Sequence, residues 1–479
     1  MNFKYITLSF LTLVLVAFSS CKKTLENINA NPNAAQVAQP DYLLTGAIKT
    51  TADTYWGTIN NMNSSLLFTQ QWAKIQYTDP DRYIFTNADF QELWTVGFSK
   101  SIVNLNQIIK LGEQQDNPNY KGVALVLRSW VFQLLTDNYG DIPYTQSAKI
   151  NDFLTPAYDK QKVVYEGLLN DLKDAQALLS PTGKPILGDA LYNNNITLWK
   201  EFTNSLRLRI ALRIADREPE LSKQVLADIT SEGGSFISSN SETAQLVYLS
   251  SPNQNPISNL FDTRDDYRIS KTVTDKLIAL SDPRLSIYAA KTQEPTTQTY
   301  VGIPNGLLVG DASNLGFSKT SKPGNYFTAP AAPAVIMSYA EVLFARAEAA
   351  ARNLTTENAA TLYAQAITAS LKQYGITDAA IATYLAQPEV QYDNSNFKKS
   401  IGNQKWIALF GQGLEAFAEW RRLDYPQLQP AVAGVLNGQL PLRFLYPGTE
   451  QSLNGQNYKV AVAAQGADVL TTRLWFDVN

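Results

Sequence analysis

Residues 339–374, "YAEVLFARAEAAARNLTTENAATLYAQAITASLKQY", leave the chain little choice of fold. Leu343 and Ala347 stand four apart, a polar break follows, and Ala359, Tyr363 and Ala366 resume the pattern beyond it. Residues three or four apart share one face of a helix, so the stretch reads as two amphipathic helices joined by a turn. Small residues on the facing stripes let antiparallel axes approach closely, and the tyrosine fills the groove between them. Other segments repeat the pattern. In "VVYEGLLNDLKDAQALL" (163–179), Tyr165, Leu168, Leu169, Leu172, Ala175 and Leu179 form one stripe that only Gln176 breaks. In 198–220, Phe202, Leu206, Ile210 and Ile214 recur every four residues, with Arg209, Arg213 and Arg217 on a separate line. That basic line reads as a solvated face, Asp216 lying three residues from Arg213.

The Ala-x3-Tyr-x2-Ala spacing of 359–366 follows that of tetratricopeptide helix pairs. The expected fold class is therefore mainly α: a tetratricopeptide-like scaffold of helical hairpins, with a loop-rich irregular face and few short strands. The loops fall at about 230–335, where "SEGGSFISSNSETAQ", "SSPNQNPISN" and "TQEPTTQTYVGIPNGLLVGDASNLG" are dense in Gly, Pro, Ser and Asn. With 479 residues, 45% of them hydrophobic, the chain can bury a large core.

Composition narrows function by exclusion. The chain has no histidine, which removes Ser-His-Asp and Cys-His catalysis and histidine metal sites. Its one cysteine, Cys21, allows neither a disulfide within the chain nor a cysteine zinc site. A net charge of −3 offers no cationic excess for phosphates, so nucleic acid is not an expected partner. No cofactor, metal or catalytic set is expected.

The opening "MNFKYITLSFLTLVLVAFSSCKK" places Lys4 before an apolar run from Ile6 to Phe18 and then small residues. That is the pattern of a signal peptide (1–20). Cleavage would leave Cys21 at the new N-terminus, which resembles the lipobox of bacterial lipoproteins, with Phe18 standing where leucine is usual. Cys21 is accordingly the expected lipidation site. Residues 21–40, rich in Asn, Pro and Ala, read as a tether, and 41–479 as the body.

The segment "TDNYGDIPYTQS" (136–147) follows the apolar run "ALVLRSWVFQLL". Gly140 suits the positive φ of a helix end, and Ile142 before Pro143 is held extended. Tyr139 and Tyr144 flank the turn, so the segment reads chiefly as a brace. It also resembles the signature of the SusD/RagB-like outer-membrane lipoproteins of Bacteroidetes. "LWKEFTNSLRLRIALRI" (198–214), "RDDYRISKTVTDKLIALSDPRL" (264–285), "APAVIMSYAEVLFARAEAAARN" (332–353), "QKWIALFGQGLEAFAEWRRLDYP" (404–426) and "RFLYPGTEQSLN" (443–454) agree with it in order. The branch most resembled is the SusD-like group of nutrient-binding lipoproteins. The resemblance implies a lipid-anchored outer-membrane protein facing the cell exterior. It implies capture of a nutrient, usually an oligosaccharide and sometimes a peptide, for a SusC-like TonB-dependent barrel, without catalysis. Lys22 and Lys23 depart from the acidic residues that often follow the cysteine of surface-exported members.

Sugars present flat C–H faces to aromatic rings and hydroxyls to amides and carboxylates. "QQWAKIQYTDPDRYIFTNADFQELW" (70–94) carries that mixture in Trp72, Tyr77, Asp79, Tyr83 and Trp94. Its "TDPDR" breaks any helix and is expected to lift Tyr77 and Tyr83 onto a loop, while Trp72 and Trp94 fall in flanking segments read as helices, where burial competes with ligand contact. Tyr267, Tyr300, Phe317 and Tyr326 form a second candidate set, and Trp130, Trp199, Trp406 and Trp420 read as core. Glu415 and Glu419 share a helix face, the minimum for a carboxylate-based glycosidase. Beside Arg421 and Arg422 they read instead as an ion-pair network. A scaffold whose ligand is another protein is the remaining alternative.

Overall fold

Helices form where the apolar stripes fall, and polar side chains start several of them. In this computed structural model residues 38–149 and 151–478 are described; the leader, Cys21 and most of the tether lie outside them. The helices of eleven residues or more are α1 (Pro40–Tyr55), α2 (Val103–Gln114), α3 (Pro118–Tyr139), α4 (Gln161–Leu178), α5 (Ile196–Ile214), α6 (Pro219–Ser231), α7 (Tyr339–Ala351), α8 (Ala359–Gln373), α9 (Phe397–Ala408), α10 (Gly413–Leu423) and α11 (Gly455–Gln465). Asn117 caps α3 by accepting from the Asn119 N–H, with Pro118 in the first turn. Ser338 and Asn358 cap α7 and α8 in the same way.

Successive helices pack side by side: α2 on α3, α3 on α4, α4 on α5, α7 on α8 and α9 on α10. Helix α5 also meets α7, which joins the earlier hairpins to the later ones. In the α7–α8 hairpin Leu343, Ala347, Tyr363 and Ala366 are buried, and the Tyr363 ring lies 6.1 Å from that of Phe344. Trp130, Trp199, Trp406 and Trp420 are core residues.

Only two small antiparallel sheets occur among the described residues. Strand β1 (Trp72–Lys74) pairs with β3 (Tyr267–Ile269), in the register Trp72 to Ile269 and Lys74 to Tyr267. Strand β2 (Ala244–Leu246) pairs with β4 (Ala334–Met337). Between α6 and α7 the chain runs through loops and short helices, as its Gly, Pro and Asn content predicts.

The arginine line is solvated only at Arg217, just past the end of α5. Arg209 and Arg213 are buried, where Arg209 grips both carboxylate oxygens of Glu341 on α7 at 2.7 and 2.8 Å. Arg213 reaches Glu415 on α10 at 2.7 Å, Asp137 on α3 at 3.2 Å, and Glu419. Glu419 also accepts from Lys405 of α9 and from Arg422, each at 2.6 Å, and Arg422 continues to Glu348 on α7. Five helices meet in this cluster. Burial alone would raise the Glu419 carboxyl, but Arg422, Lys405 and Arg213 outweigh it and hold it well below the usual carboxylate range. Glu415 is likewise held low against burial by Arg209 and Arg213. The pair forms an ion-pair network as read from the sequence, but its cations come mainly from other helices, and Arg421 instead donates to the carbonyls of Phe417, Leu442 and Asp137.

Asp216 turns away from Arg213 and binds Arg352 at 2.6 Å and Lys398 at 3.2 Å. Its pKa falls to about 2: burial would raise it, and Arg352 and Lys398 overcome that. A carboxyl depressed on folding stabilises the protein above its unfolded pKa and loses that contribution as pH falls through the folded value. Asp216→Asn is therefore expected to lower urea stability by about 1 kcal/mol at pH 7, after screening at this partly open site. The deficit should shrink as pH falls from 4 toward 2.

The 136–147 segment is a brace, and its turn is fixed by three partners. Gly140 adopts φ 86°, and Ile142 bridges to Asp159. Tyr139 is buried, with its hydroxyl bonded to the Phe90 carbonyl and its ring against Trp94 at 5.1 Å. Gln465, at the end of α11, accepts from the Asp141 N–H at 2.6 Å and donates to the Tyr139 carbonyl at 2.9 Å.

Candidate ligand-binding surface

Strand pairing brings two distant loops together. Beyond β1 the Ile75 N–H bonds the Asp266 carbonyl at 2.9 Å, so 75–77 continues alongside 264–266. Tyr77 then takes a left-handed φ of 53°, turns off the strand and keeps 58% of its surface exposed. The Arg264 guanidinium sits 4.7 Å from the centre of its ring. Arg264 is itself fixed by two 3.0 Å bonds to Asp266, a geometry that matches guanidinium to carboxylate.

Asp266 is the anchor of this corner. It is buried and also pairs with Lys74 at 2.6 Å. Burial pushes its carboxyl up, but Arg264 and Lys74 outweigh that and keep it below its ordinary value. Two residues along, Arg268 is buried against the partly exposed ring of Phe317, 5.3 Å from its centre, and bonds Asp265 at 2.8 Å. Residues 264–268 thus carry an aromatic at each end, Tyr77 over Arg264 and Phe317 over Arg268, with the half-exposed Asp265 between them. In extended chain those arginines are at most roughly 13 Å apart.

The structure corrects several residues read as ligand contacts. Trp72 is not helical: it lies in β1, fully buried, with its ring 5.9 Å from Tyr267 and 6.2 Å from Phe261. Tyr267 is buried too, its ring 4.2 Å beneath the Lys74 ammonium. Both support the corner from below. Tyr83 is not lifted outward. The helical turn Pro80–Arg82 ends there, and a φ of 67° folds its ring back onto Phe68, 6.0 Å away. Trp94 is buried among Phe98, Tyr139, Tyr158 and Tyr446.

Asp79 remains exposed, 3.6 Å from Arg82. Tyr300 and Tyr326 are half-buried, and the Tyr326 ring lies 4.9 Å from Tyr374. Sequence reasoning missed Arg264, Asp265 and Arg268. The charges stand together in "RDDYRI", but only the pairing of β3 with β1 sets them beside Tyr77. None of the described helices is long and apolar enough to cross a membrane.

Residues 32–447 match a family described as starch-binding and associating with the outer membrane, the SusD-like family. The chain belongs to that family. Solved structures agree in fold. One, a chitin-binding protein, is 28% identical and superposes with a TM-score of 0.82, covering 92% of this chain and 100% of its own. A chitin-binding SusD homolog from Flavobacterium johnsoniae is 24% identical with a TM-score of 0.82, covering 91% and 99%. A SusD homolog from Bacteroides uniformis is 24% identical with a TM-score of 0.80, covering 92% and 100%. Among curated proteins, no sequence matches this chain.

Proposed function

We propose that this SusD-like chain captures a glycan at the outer membrane and passes it to a SusC-like TonB-dependent barrel, without chemical change. One observation carries the binding half: the Tyr77 ring is exposed with the Arg264 guanidinium 4.7 Å from its centre, and the exposed Phe317 ring and the Asp265 carboxylate border the same 264–268 stretch. Rigid rings lose little entropy on binding, and carboxylate and guanidinium groups suit sugar hydroxyls. The family's starch-binding description and the chitin-binding relatives support a glycan as the nutrient. Lipid on Cys21 supplies the anchor in this reading, and 41–479 acts as the nutrient-binding body.

A glycan panel that includes starch and chitin oligosaccharides, followed by calorimetry, tests the proposal. Tyr77→Ala and Phe317→Ala are each expected to weaken binding about ten-fold, the worth of one stacked aromatic. Unchanged affinity in both variants would place the site elsewhere. Recovery of a barrel on pull-down from detergent-solubilised membranes tests the delivery half, and absence of one would favour a stand-alone scaffold.

A further inference from the structure

Seven of the eight tryptophans are buried. The eighth, Trp475, keeps partial exposure and lines a cleft of about 510 Å³. The walls are the start of α4 (Lys160 and Lys162), Arg217 beyond the end of α5, Gln465 at the end of α11, and the C-terminal segment with Arg473. Much of this lies past residue 447, where the family match ends, and no wall residue belongs to the Tyr77 surface.

The charges of the cleft are sorted by depth. Its two carboxylates are sunk, with side-chain exposures of 7% for Asp141 and 0% for Asp477. Lys160 and Arg473, 57% and 44% exposed, pair with those carboxylates at 2.9 Å and 2.6 Å, and Lys162 stands out at 44%. Glu166 and Glu218 flank Lys162 at the rim and take up part of its charge. Arg217 donates from Nε to the Trp475 carbonyl at 2.7 Å, which pins the tail. Its terminal nitrogens bond no protein group among the described residues. A partly open indole beside outward-facing cations and an amide is a surface for a sugar ring that carries negative charge.

We propose that this cleft is a second saccharide site, which stacks a carboxylate-bearing sugar on Trp475 and meets its charge with Arg217, Lys162 and Arg473. The test uses trigalacturonate, with maltotriose as the uncharged comparison, on full-length protein carrying Tyr77→Ala and Phe317→Ala. In that background trigalacturonate should bind saturably by calorimetry and protect tryptophan emission from acrylamide quenching. Adding Trp475→Ala should weaken binding about ten-fold, and adding Lys162→Gln about three-fold. Lys162 is a surface residue, so its variant keeps the test sound should the tryptophan change disturb folding. The proposal is overturned by absence of saturable binding, by equal affinity for maltotriose, or by quenching protection and affinity that neither substitution moves. Because the background lacks the Tyr77 and Phe317 rings, failure here leaves the primary glycan reading standing, and failure there leaves this one.

Discussion

Arg213→Met is expected to cost about 3–5 kcal/mol of unfolding free energy, the largest loss from any single side chain of the buried cluster. Methionine nearly preserves the volume but removes the cation that Asp137, Glu415 and Glu419 share; Glu419 keeps Lys405 and Arg422 and Glu415 keeps Arg209, while Asp137 is left with no salt bridge among the described residues. The penalty arises from leaving charge uncompensated where water cannot reach it, and a salt bridge is not intrinsically strong. Lys121→Ala gives the contrast: its 2.7 Å pair with Glu113 is partly solvated on both sides, and its loss should stay below about 1 kcal/mol. Urea titration of both variants at neutral pH decides the matter. A small loss for Arg213→Met would mean that the cluster is hydrated. Arg213 also joins α3, α5 and α10, so its variant should show a lower denaturant slope if those helices part from one another before global unfolding.

Gly140→Ala is expected to cost about 3 kcal/mol, in two separable parts. A φ of 86° with ψ −119° is a conformation that only glycine adopts easily, worth about 1–3 kcal/mol. The added Cβ would also lie 1.9 Å from the Gln465 Oε1, so the glutamine must leave. It would then lose its bonds to Asp141 and Tyr139, at about 1 kcal/mol each. In a Gln465→Ala background the same glycine change should cost only the backbone part. Thermal unfolding of the four proteins in this cycle measures the split, and equal losses in both backgrounds would show that Gln465 plays no role in the brace.

Both cases show what local sequence can and cannot say. Gly140 was legible because a helix end followed by Ile-Pro needs a positive φ regardless of what surrounds it. The arginine stripe of α5 was legible as a stripe but not as buried. Its partners stand 132 and 206 residues away, on α7 and α10, and nothing near Arg209 or Arg213 announces them. The aromatics behaved alike. Tyr77 and Tyr83 sit six residues apart in one turn-rich loop, each at positive φ, yet one faces solvent and the other packs on Phe68. Arg264 and Arg268 joined the candidate surface only because β3 happens to pair with β1.

The amino-acid sequence by itself determined the helical class, the hairpin spacing, the loop-rich stretch, the absence of histidine chemistry and the turn at Gly140. These depend on periodicity, composition and backbone preference, which act over a few residues. Only the tertiary structure decided which arginines would be core and which tyrosine would be open. It also decided that Trp475 would be the one tryptophan left facing water. Burial and charge pairing are set by whatever segment arrives from far along the chain, and no window of neighbouring residues contains that partner.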